Sequence, residues 1–169
     1  MHEVDKTTQD FEGRSWLEKK LGNHETLGLD MEWMPDISKK SNNPVALIQF
    51  ADEEVALLLR TQKSEGWLPQ CVADVLTCPH TIKVTTGFEG SDAAKMKACF
   101  KLEVAGISDL QELVRQKGID DLLGLRRLGQ LFGIEIAKNP EISMSNWEAA
   151  TLTEDQVQYA ADDAHFPFI

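Results

Sequence analysis

From residue 27 to 34 (LGLDMEWM) apolar and non-apolar side chains alternate, which puts Leu27, Leu29, Met31 and Trp33 on one face of an extended segment and Gly28, Asp30 and Glu32 on the other. The pattern predicts a strand with two acids on one side. The turn-forming run PDISKKSNN separates it from PVALIQF and EVALLLR, two further runs of strand length that complete a meander of three. Leu68, Val72, Val75 and Leu76 recur at helical spacing within residues 65–77, and TIKVTT reads as a fourth strand. After Gly87 and Gly90 turn the chain, Ser91 is placed as the N-cap of a helix through AAKMKACF, and a fifth short strand is expected near KLEVAGI. Ser108 and Gln111 have capping-box spacing ahead of SDLQELV, as do Thr153 and Gln156 ahead of a helix carrying Val157, Tyr159, Ala160 and Ala164. Between these two helices Leu125, Leu128 and Leu131 with Phe132 form an apolar stripe ended by Gly133. Three strands, then alternation, then helices imply a mixed α/β layer fold.

With 169 residues, 42% of them hydrophobic, and no internal repeat or Pro/Ser-rich linker, the chain is expected to form a single domain over residues 1–169. No apolar stretch approaches the roughly 18 residues of a membrane span, so no membrane partner is expected. The N-terminal segment MHEVDKTTQDFEGRSWLEKK fits neither a secretory signal nor a transit peptide. Cys71, Cys78 and Cys99 are odd in number and lack CxxC spacing, which argues against a disulfide framework or structural zinc and for a reducing, intracellular location. The net charge of −11 opposes nucleic-acid binding, because affinity for phosphates comes mainly from Lys and Arg releasing counterions. It is compatible only if the acids gather around cations while Lys83, Lys95, Lys97, Lys101, Arg126, Arg127 and Lys138 face a strand.

Acids two apart on a strand, as in Asp30-x-Glu32, are usually a solvated face. At the start of an apolar meander the two carboxylates would repel each other unless a cation bound between them. Oxygen ligands of this kind suit Mg²⁺ or Mn²⁺ rather than zinc. Tyr159 and Asp163, four apart, share a helix face; the ordinary alternative is a core tyrosine with an acid on the rim. Asp92 follows a glycine turn beside the expected helix start, where a carboxylate commonly just complements the helix dipole. Trp33 points away from the acids and Trp147 is expected to anchor the loop before the last helix, while His24, His80 and His165 are expected to be solvated and Lys138 to contact a phosphate or simply lie on the surface.

Taken in order, GLDMEW, NPVALIQF, SDAAKM with Asp92, SNW, LTEDQ and YAADDA resemble the DEDDy 3′-5′ exonucleases, most nearly the branch of the Werner-syndrome protein's exonuclease domain and its stand-alone relatives. The resemblance runs from Leu27 to Ala164. It implies a ribonuclease-H-like fold, a five-stranded mixed sheet with the second strand antiparallel and helices on both faces. It further implies two Mg²⁺ or Mn²⁺ ions, with Asp30, Glu32 and Asp163 on the first, Asp30 and Asp92 serving the second, and Tyr159 orienting the attacking water. The substrate implied is DNA or RNA with a free 3′ end, cut to nucleoside 5′-monophosphates. Gln158 speaks against the subgroup that uses a histidine at that position. Gly87 is displaced by one residue from the family's turn, which keeps Glu89 open as a rival to Asp92. The chain stops at Ile169, six residues after Asp163 (169 − 163), where the family continues into further helix, and Pro167 should disrupt the last turn, so a trimmed or unusually short domain is expected. The alternatives are a non-catalytic interaction module on the same fold, or a sugar hydrolase using two acids without metal.

Overall fold

The structure, a computed structural model, describes residues 2–5, 12–38, 41–61, 66–119, 123–136 and 139–168. In chain order it contains β1 (His2–Asp5), α1 (Arg14–Gly22), β2 (Leu27–Trp33), β3 (Val45–Ala51), β4 (Ala56–Arg60), α2 (Gln70–Thr77) and β5 (Lys83–Thr85). These are followed by α3 (Ser91–Phe100), β6 (Ile107–Asp109), α4 (Leu110–Gln116), α5 (Leu125–Leu131), α6 (Pro140–Ser143) and α7 (Glu154–His165). The sheet order is β1-β4-β3-β2-β5-β6, with β3 antiparallel to β2 and β4 and every other pairing parallel. Strands β2 to β6 are the five-stranded mixed sheet expected from the sequence, and β1 is an unanticipated sixth strand that pairs with what would otherwise be the open edge of β4.

Every residue of β3 is buried, because helices cover both faces of the sheet. On one face Leu27, Leu29, Ile48, Phe50 and Leu59 pack with Leu17 of α1, Val72 and Val75 of α2 and Met96 of α3. On the other, Leu47 and Leu58 pack with Trp147, Leu152, Tyr159 and Ala160 around α7. Trp147 is fully buried and its indole donates to the Ser143 carbonyl at 3.1 Å, so it does anchor the segment before α7.

Local details depart from the sequence reading where distant contacts intervene. The fifth strand forms at Ile107–Asp109 rather than over residues 101–107. Lys101 ends α3 in the left-handed conformation, and Gly106 (φ +66°) passes so close to the carbonyls of Thr81, Pro79 and Cys78 that a β-carbon there would meet all three within 3.0 Å. Pairing with β5 can begin only past that point. Ser91 lies inside α3 rather than capping it, with Gly90 as the N-cap. Asp109, not Ser108, caps α4 by accepting from the Gln111 amide at 2.9 Å.

Two lysines expected to face a nucleic-acid strand are buried. The Lys83 ammonium donates to the carbonyls of Val75 (2.9 Å) and Cys78 (2.8 Å) at the end of α2, and burial pushes its pKa down to about 8 against the opposing charge of Cys78. Lys95 reaches across to the loop after β2, donating to Asp36 (2.9 Å), Asn42 (2.9 Å) and the Asn43 carbonyl (2.6 Å) and lying over the Trp33 ring. Lys97, Lys101, Arg126 and Arg127 are exposed, and Lys138 falls outside the described residues.

Candidate active site

Alternation along β2 sends Asp30 and Glu32 from the face on which α7 lies. Contact between the two elements is set by Gly28, where a β-carbon would fall 1.8 Å from the Ala164 carbonyl. No other residue permits that approach. Helix α7 starts with a complete capping box, in which Thr153 accepts from the Gln156 amide at 3.2 Å and Gln156 accepts from the Thr153 amide at 3.0 Å. Its buried residues Tyr159, Ala160 and Ala164 seat it on the sheet. Asp163 is thereby delivered to the strand acids: one carboxylate oxygen from each of Asp30, Glu32 and Asp163 lies within 4.8 Å of the others. The neighbouring Asp162 turns aside and accepts a hydrogen bond from Gln158 at 2.8 Å.

Tyr159 sits one turn before Asp163 and its hydroxyl is hydrogen-bonded to that carboxylate. Burial, followed by the negative charges of Asp163 and Glu32, holds the phenol well above its ordinary pKa and favours its protonated form. A protonated phenol can hydrogen-bond a water molecule and is a poor base. The ring is held against Trp147 with centroids 6.1 Å apart.

Asp92 is not part of the three-carboxylate set. It lines a groove of about 720 Å³ together with Thr86, Glu89, Asp109, Gln111 and Arg115. Burial pushes its carboxyl up to about 7, opposed by a hydrogen bond from Ser91 and reinforced by the charge of Asp109. Glu89 is exposed on the rim. Asp109 was not singled out in the sequence, yet its carboxylate accepts from the amides of Gly87 (2.9 Å) and Phe88 (2.7 Å) as well as capping α4. The turn leading to Asp92 is thus fixed by an acid 17 residues downstream (109 − 92). The available signal was an Asp immediately after the expected cap Ser108, itself a residue type that caps helices. His165, expected to be solvated, instead places Nδ1 2.8 Å from the Asp52 carbonyl, whereas His24 and His80 are exposed with their rings 5.4 Å apart.

Three carboxylates with oxygens this close are mutually repulsive, and a hard divalent cation that prefers oxygen ligands is the chemistry that fits them. A model of a 3′-5′ exonuclease domain matches residues 6–169. The chain belongs to the 3′-5′ exonuclease family. Among its relatives, human exonuclease 3′-5′ domain-containing protein 2 is 35% identical over 156 residues, covering 88% of this chain and 25% of that protein. A 3′-5′ exonuclease of Arabidopsis thaliana is 32% identical over 143 residues, covering 82% and 49% respectively, and the mouse bifunctional 3′-5′ exonuclease/helicase WRN is 29% identical over 153 residues, covering 88% and 11%. The chain spans about a quarter of the length of the domain-containing protein 2 relatives. Among solved structures, Escherichia coli RNase D superposes with a TM-score of 0.79 at 22% identity over 98% of this chain and 42% of that one, a likeness of fold. The EXD2 exonuclease domain soaked in Mn and Mg aligns with a TM-score of 0.51 at 30% identity, covering 90% and 78%. The fold of this exonuclease-family domain is ribonuclease-H-like, and its carboxylate cluster suits a divalent metal.

Proposed function

We propose that this domain hydrolyses the terminal phosphodiester bond at the 3′ end of DNA or RNA, releasing nucleoside 5′-monophosphates with the help of two divalent cations. Asp30, Glu32 and Asp163 would hold the first ion, and Asp30 with Asp92 would serve the second. The observation that carries this is the convergence of Asp30, Glu32 and Asp163 within 4.8 Å beside the Tyr159 hydroxyl, in a chain of the exonuclease family. Bound cations supply Lewis-acid polarisation of the phosphate and a lowered pKa for bound water. The protein's own part is positional. Tyr159, fixed as a phenol and hydrogen-bonded to Asp163, orients the water for in-line attack. Asp92, whose carboxyl is pushed up to about 7 by burial with the charge of Asp109 adding to it, would be drawn toward its charged form by a cation held nearby.

The test is degradation of end-labelled single- and double-stranded DNA and RNA with Mg²⁺ or Mn²⁺, with and without chelator. Stepwise shortening from the 3′ end, abolished by EDTA, is the expected result. Binding without cleavage in every condition would replace the nuclease with an interaction module, and cleavage that survives EDTA would remove the metal.

A further inference from the structure

Gln49 lies directly across from Asp30 in the β2–β3 ladder, so the two side chains leave the sheet on the same face, about 5 Å apart at their β-carbons. It is fully buried, and among the described residues neither its amide nitrogen nor its amide oxygen has a hydrogen-bond partner. Leaving such a group unpaired is destabilising, and a leucine or methionine would fill a central strand position at less cost. The surroundings explain little of it. Along β3 its same-face neighbours are Leu47 and Ala51, and across β4 it meets Leu58. Ala160 and Ala164, both fully buried, are on the face of α7 that covers this side of the sheet. Arg60, on the diagonal, is engaged with the carbonyls of Ala149 and Ala150. The polar side chain next to Gln49 is Asp30, the acid at the centre of the carboxylate cluster.

We infer that Gln49 is a positioning residue for the metal site: its amide, unpartnered among the described residues and directly across from Asp30, donates to that carboxylate when a divalent cation is bound and fixes which oxygens the acid turns toward the cation. The inference rests on the metal-holding role proposed above for Asp30. An amide suits the task because it donates a hydrogen bond without adding charge beside three acids, where a lysine would compete with the cation and another carboxylate would add to the repulsion. Groups that orient ligating carboxylates in this way typically carry 10–100-fold of metal affinity or activity.

Gln49→Met separates this role from a structural one, because the two predict opposite effects on stability. Melting without cations, Mn²⁺ affinity by electron paramagnetic resonance, and exonuclease kcat and KM would be measured on wild type and variant. The expected pattern is a melting temperature equal to or above wild type, Mn²⁺ affinity lowered about 10-fold or more, and a fall in kcat with little change in KM. A lower melting temperature with unchanged Mn²⁺ affinity would overturn the inference and make Gln49 a packing residue. Should the variant fail to fold, the side-chain amide resonance of Gln49 in wild type must shift on addition of Mg²⁺, and no shift would equally overturn it. Wild type that binds Mn²⁺ but never cleaves would sink the nuclease proposal while leaving the Gln49 comparison decisive. Wild type that binds no Mn²⁺ would sink both.

Discussion

Asp162 and Asp163 are adjacent in sequence but point about 100° apart around α7, and only Asp163 reaches the acids of β2. Asp163→Asn is therefore expected to eliminate exonuclease turnover and weaken Mn²⁺ binding, whereas Asp162→Asn leaves both within a few-fold of wild type. The reverse pattern, measured on end-labelled substrate, would mean that the wrong acid faces the site. Tyr159→Phe removes the hydroxyl on Asp163 while keeping the ring on Trp147, so kcat should drop about 10-fold or more with Mn²⁺ affinity nearly unchanged. A parallel loss of metal affinity would contradict the water-orienting role. For Asp92 the folded pKa of about 7 lies above the ordinary carboxylate value, so between about pH 4 and 7 the folded state binds more protons than the unfolded one. Its contribution to stability is greatest at low pH and is lost as pH rises through 7. In cation-free buffer Asp92→Asn should thus gain on wild type in melting temperature between pH 5 and 8, and a difference independent of pH would exclude the perturbed carboxyl.

Helix α7 brings chemistry to the sheet only because it can lie almost on the β2 backbone at Gly28. Gly28→Ala would place a methyl group 1.8 Å from the Ala164 carbonyl, and main chain has no rotamer with which to escape. The helix must move. Overpacking of this kind costs about 1–3 kcal/mol, and the shift would also carry Asp163 away from Asp30 and Glu32. Urea unfolding should show that loss, and Mn²⁺ titration should show weaker binding in the same variant. Unchanged values in both would mean that α7 can re-seat without disturbing the cluster. In the sequence Gly28 counted as one of the non-apolar positions of an alternating strand; its need to be glycine comes from a helix 136 residues further on (164 − 28).

Across the whole molecule, the residues proposed to serve the two cations ride on different layers, with Asp30 and Glu32 on the sheet and Asp92 on α3. Lys95 joins them. One turn after Asp92, it holds the loop after β2 through Asp36, Asn42 and Asn43 and covers Trp33. Lys95→Met should lower stability by about 1–3 kcal/mol, since it leaves polar partners unpaired, and should expose the loop to proteolysis within residues 34–44. Protection equal to wild type would remove Lys95 as the link. Its burial, with that of Lys83, also changes the electrostatic balance, because two of the cations expected to offset a net charge of −11 are spent inside the protein. Favourable approach of a nucleic acid then depends more heavily on cations bound at the acids.

What was legible in the chain was whatever short-range periodicity decides. Alternation along residues 27–34 placed Asp30 and Glu32 on one face, Thr153 and Gln156 marked the start of α7, and four-residue spacing paired Tyr159 with Asp163, since each depends on backbone geometry within one strand or one turn. Tertiary contact decided the rest. The sixth strand β1, the late start of β6 behind Gly106, the capture of Lys83 and Lys95, the clamp made by Asp109 and the burial of Gln49 beside Asp30 all depend on partners far away in sequence. A local pattern assigns a side chain to a face, but which groups meet on that face is set by how layers pack, and packing depends on residues that no window of sequence contains together.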